Sequence, residues 1–154
     1  MAGVASLLLV GGLLAACSSP GAASAPAASS AAPAFDIPPG ASLPACAGAG
    51  PAVAPPDGFP VTFPLPPGSV VVEGDIPPGG GSRIRFLAPI EVPELGEFLE
   101  KELPKAGLSI GGGEAEADEL ESKFSGQGLD GQVVAREVSG CPGVLSVQVV
   151  VRAT

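Results

Sequence analysis

The first charged residue of this chain is Asp36, and large apolar residues dense enough to build a core begin only near Phe59. Of 154 residues, all 7 Lys and Arg and all 16 Asp and Glu lie at Asp36 or beyond. A soluble fold needs a core and a solvated surface together. That confines the folding unit to roughly the last hundred residues, a workable size for one modest core. The 45% apolar content overstates this core, because much of it is alanine in the first 55 residues.

The net charge of −9 therefore belongs to the later part of the chain. An acidic surface repels phosphate backbones and anionic head groups, so nucleic acid is not expected as a partner, nor is membrane binding through a basic patch. Tryptophan, tyrosine, histidine and asparagine are all missing.

Val4 to Leu14 is an apolar run of about eleven positions, too short to span a bilayer and the right length for the core of a signal peptide. It leads into Leu14-Ala15-Ala16-Cys17, followed by Ser18, Ser19 and Pro20. This order resembles the lipobox of bacterial lipoproteins, although no Lys or Arg precedes the run. The resemblance covers residues 1–17 and names no family for the rest. It implies cleavage before Cys17, a diacylglycerol thioether on that cysteine, and often a further acyl chain such as palmitate on its new amine. Two or more chains hold a protein firmly, whereas one binds only marginally. The expected location is extracytoplasmic, with the protein lipid-anchored to the bacterial cell membrane or envelope through Cys17.

Ser18 to Pro56 is largely Ala, Ser, Pro and Gly. Such a composition cannot bury enough surface to offset its ordering entropy, and it reads as a tether. The expected division is a signal peptide over 1–16, the lipidated Cys17 and tether over 17–56, and a domain over 57–154. With Cys17 assigned to lipid, Cys46 and Cys141 remain as an even pair in a compartment that permits disulfides. The alternatives are two free thiols or an exchangeable redox pair. The absence of a C-x-x-C spacing and of any histidine favours a structural bond.

Within the domain, Phe59 to Pro67 is punctuated by proline and suits an extended edge segment with Phe59, Phe63 and Leu65 tucked in. Ser69 to Glu73 favours a strand through three consecutive valines. Gly74 to Gly81 reads as a loop, and Arg83 to Leu87 alternates as a strand with Ile84 and Phe86 on one face. Glu91 to Lys105 is the clear helix, with Val92, Leu95, Leu99 and Leu103 on one stripe beside Phe98. Pro93 suits its first turn, Glu97 and Lys101 its i,i+4 pairing, and Pro104 with Gly107 its end. Leu108 to Ile110 begins another strand region that Gly111 to Gly113 interrupts. Glu114 to Phe124 fits a helical stripe through Ala117, Leu120 and Phe124, but strand alternation of Leu120, Ser122 and Phe124 is the reading preferred here. Gln132 to Val138 and Val144 to Arg152 complete the strands. The expected fold class is α+β, two-layered, with one amphipathic helix on an antiparallel sheet of about five strands.

Motifs of chemical interest are few. Gly126 to Gly131 matches G-x-G-x-x-G, but valines rather than a helix follow, so it reads as a hairpin turn. Glu114, Glu116, Asp118, Glu119 and Glu121 lack the looped spacing that calcium requires and read as a solvated face. Glu73 and Asp75 are a conceivable acid–base pair with no histidine to assist. No catalytic, cofactor-binding or metal-binding residue is assigned. The expectation is a monomeric, non-enzymatic binding or interaction module, possessing an envelope protein partner and no cofactor. The alternative is a carrier of a small apolar ligand between helix and sheet, and an enzyme using carboxylates ranks last.

Overall fold

The computed structural model describes residues 42–154, so the signal run, Cys17 and the first part of the expected tether lie outside the described residues. Six strands form one antiparallel sheet: β1 (Val70–Asp75), β2 (Ser82–Ala88), β3 (Ser109–Ala115), β4 (Glu119–Gly126), β5 (Leu129–Glu137) and β6 (Leu145–Ala153). Their order across the sheet is β1-β2-β6-β5-β4-β3. One helix, α1 (Val92–Glu102), connects β2 to β3 and packs against β3, β4 and β5. The α+β class holds.

Alternation decides which face each strand buries. On β6, Leu145, Val147, Val149 and Val151 are buried, and β2 aligns Ile84 with Val149 and Phe86 with Val147. Leu120 and Phe124 of β4 with Val133 and Ala135 of β5 continue this inner face. Val92, Leu95 and Leu99 of α1, followed by Leu103, cover part of it. Phe59, Phe63 and Leu65 cover the remainder, with the Phe63 and Phe124 ring centroids 5.4 Å apart.

The helix is shorter at its end than the expected Glu91 to Lys105. Glu91 stands outside it as the N-cap, its backbone N–H donating to Glu94 Oε2 at 3.4 Å. Pro104 has no N–H to continue the ladder, so Pro104–Ala106 tightens into a 3-10 turn that Gly107 closes. That turn brings Lys105 Nζ to 2.7 Å from Glu102 Oε1, in place of the expected pairing of Glu97 with Lys101.

Two strand boundaries differ from the reading of the sequence. The three glycines after Ile110 do not break the chain out of the sheet. β3 runs through them to Ala115, absorbing one extra residue as a bulge between Ile110 and Gly113. That supplies the sixth strand. The preferred strand reading of Glu114 to Phe124 resolves into the end of β3, a turn closed by Glu116 N–H to Glu119 C=O at 2.8 Å, and β4.

The motif at Gly126 to Gly131 is a hairpin. Gly126 pairs with Leu129 across a two-residue loop in which Gln127 and Gly128 both have positive φ, 53° and 74°. This is the primed turn that matches strand twist. The Gln127 side chain donates to the Ala106 carbonyl, tying the hairpin to the helix end. Gly131 then faces Phe124 across the ladder, and a Cβ there would overlap the ring. Gly131→Ala is expected to destabilise the fold by about 1–3 kcal/mol through overpacking, read as a lower urea midpoint with unchanged slope.

Candidate functional site

The segment before β1 wraps the sheet. Leu43 and Ala47 pack on the outer face with Leu87, Val72, Val138, Val144 and Cys141. The chain then passes β1, where Val53 N–H donates to Val71 C=O at 2.9 Å and a Cβ on Gly74 would meet Pro56 Cδ at 3.0 Å. Ser82 Oγ donates to Asp57 C=O at 3.2 Å, and Phe59 enters the inner core. The packed unit thus includes a stretch upstream of residue 57. Cys46 and Cys141 fasten this strap through a disulfide with a Cα–Cα distance of 5.4 Å, and Cys141 is fully buried. Its tight turn is set by Cys141 N–H to Val138 C=O at 2.9 Å and Val144 N–H to Cys141 C=O at 3.2 Å.

Glu73 and Asp75 are both engaged by cations. Strand β1 carries a bulge between Val71 and Glu73, which turns Glu73 to face Arg85 and Asp75 to face Arg83. Arg83 binds Asp75 through Nε and Nη2 at 2.8 and 2.7 Å, and Arg85 Nε reaches Glu73 Oε2 at 2.8 Å. Hydrogen bonds from these guanidiniums, ahead of their charge, hold both carboxylates below their ordinary values. The same contacts raise both arginines. Ionised and solvated, the two carboxylates are anchors for arginine more than proton donors.

The acidic run is divided by the β3–β4 turn. Glu114 stands directly opposite Glu121, and Glu119 turns to Arg136 at 2.6 Å. Among the described residues, no three His, Cys, Asp or Glu side chains converge to hold a metal ion.

A groove of about 280 Å³ opens between α1 and the outer strand β3. Gly96, Leu99 and Glu100 form its helical wall, Leu120 and Ser122 its floor, and Ile110, Gly113, Glu114 and Ala115 its strand side. The interface deeper under α1 is filled by Leu95, Leu99 and Leu103, each 2% exposed or less. Nothing in the residue pattern announces this groove, because glycines leave no periodicity to read.

No protein-family model matches this sequence, and neither a curated protein nor a solved structure matches it.

Two outcomes are expected from the outer face. The bond from Cys46 to Cys141 closes a loop of 95 residues. In the chain-entropy model this is worth about 4 to 5 kcal/mol, so reduction or Cys46→Ser should lower the denaturant midpoint accordingly. The second concerns acid. Carboxylates with lowered folded-state pKa values contribute stability that is present above their ordinary values, 4.5 for Glu73 and 3.8 for Asp75, and lost as pH falls through the folded ones. An Arg83→Gln, Arg85→Gln chain should therefore show a shallower fall in stability on acidification than the parent, measured by thermal melts across that range.

Proposed function

We propose that this protein is an extracytoplasmic lipoprotein, anchored to the cell membrane or envelope through acyl chains on Cys17, whose domain binds a partner rather than catalysing a reaction. The reading is carried by the Cys46–Cys141 disulfide. It joins the two thiols that remain once Cys17 is given to lipid, and disulfides of this kind belong to oxidising compartments. The engagement of Glu73 and Asp75 by Arg85 and Arg83 supports a binding role, since it leaves neither acid poised for proton transfer. The open groove beside β3 supports it from the other side, as a concave surface whose rim strand, among the described residues, pairs with β4 alone.

Intact mass measurement of the chain extracted from membranes tests the anchor. The expected mass corresponds to cleavage before Cys17, addition of acyl chains, and loss of two hydrogens to the disulfide. Cys17→Ser should move the protein out of the membrane fraction. Recovery of an uncut, unmodified chain from the cytosol would overturn the reading.

A further inference from the structure

The two edges of this sheet are treated differently. At β1 the edge is covered by the strap, through Val53 N–H to Val71 C=O and the approach of Pro56 to Gly74. At β3, among the described residues, only β4 pairs with the strand. Exposed edges are usually blunted by charge, above all lysine, by proline, by bulges or by a covering segment. Ser109–Ala115 contains neither lysine nor proline, and Gly111 to Ala115 are all exposed. Its bulge lies between Ile110 and Gly113, leaving Gly113 to Ala115 in regular register with Ser122 to Leu120.

Beside that regular stretch lies the groove against α1, with Glu100 on its helical wall, while Glu114 and Glu121, which alternate to the face opposite Leu120, add acid along the same edge. Glu114 and Glu121 are also direct cross-strand neighbours, an arrangement that costs stability until positive charge approaches. Lys123 sits beside Gly111, towards the other end of β3 and outside the lining. An occupant that adds backbone to the edge must therefore bring its own cations. A second copy of this chain, at net charge −9, would set acid against acid. The residues ahead of Asp36 hold no lysine or arginine to offer.

We propose, on the basis of the binding-module reading above, that β3 accepts an extended, lysine- or arginine-bearing segment of a partner protein as a seventh strand, with side chains entering the groove at Leu99 and Leu120. Strand addition of this kind draws affinity from main-chain hydrogen bonds and specificity from pockets at alternate side chains.

The test uses the full chain in detergent micelles with two heptapeptide probes, one alternating lysine with valine and the other glutamate with valine. Amide hydrogen exchange is followed residue by residue, with peptide affinity measured alongside. The lysine peptide is expected to slow exchange within residues 110–116 by tenfold or more, and the glutamate peptide to leave it unchanged. Glu100→Lys, Glu114→Lys, both at exposed positions, should reverse the preference while the thermal melt stays cooperative. Absence of protection at β3 with the lysine peptide, or binding indifferent to the charge reversal, would overturn the proposal. So would protection that appears without peptide as protein concentration rises, which would identify a second copy as the occupant. A chain found lipidated at Cys17 whose β3 ignores the lysine peptide loses this assignment alone. A chain found unlipidated in the cytosol loses the anchored reading, whatever the peptides do.

Discussion

One eleven-residue helix cannot cover a six-stranded sheet. At 1.5 Å per residue α1 is about 16 Å long, and six strands spaced about 4.8 Å apart span roughly 24 Å between their outer axes. Bare apolar sheet is costly in water, so something else must lie on it. Here that material is the irregular chain ahead of β1. Phe59, Phe63 and Leu65 complete the inner cover, while Leu43 and Ala47 shield Leu87 and Val144 on the outer face. The stretch around Cys46 has little apolar surface of its own to bury, and its bond to the buried Cys141 supplies the constraint that packing there alone would not.

The outer face beyond the strap is held differently. Arg83 with Asp75, Arg85 with Glu73, and Arg136 with Glu119 are cross-strand rungs, every one of them substantially solvated. Exposed ion pairs of this sort contribute little individually to stability. Their effect is on register. The bulge in β1 shifts alternation by one residue, and without that shift Glu73 would point into the apolar inner face. The two pairs reward the bulged register and penalise the unbulged one.

How much of this was legible follows from what a side chain can signal. β6 declared itself through strict alternation and α1 through its leucine stripe, because in each the buried face is built from large residues at the element's own period, whereas Leu120 and Phe124 of β4 fitted a helical stripe as well as a strand. β3 did not, since three of its seven residues are glycines and its partner supplies the pairing. The path of the strap was equally silent, although the pairing of Cys46 with Cys141 already tied its end to the domain. Its Ala, Pro and Gly composition is that of a free linker, and what fixes it is a covalent bond to a residue 95 positions away together with the β1 edge. The candidate groove inherits that silence from β3, while Cys46 and Cys141 were readable by counting.

The distribution of burial across the strands also bears on where a partner can act. β6 alternates buried and half-buried along most of its length, whereas β3 is exposed at every residue except the half-buried Ile110. Free energy of local opening tends to follow this gradient, lowest where few apolar contacts hold the backbone. A strand added at β3 would organise the least anchored part of the sheet and leave the strands between α1 and the strap untouched. The same addition at β1 would have to displace Val53 and Pro56 first. On the proposed reading, a partner would meet the sheet at β3, the edge opposite the one that Val53 and Pro56 cover.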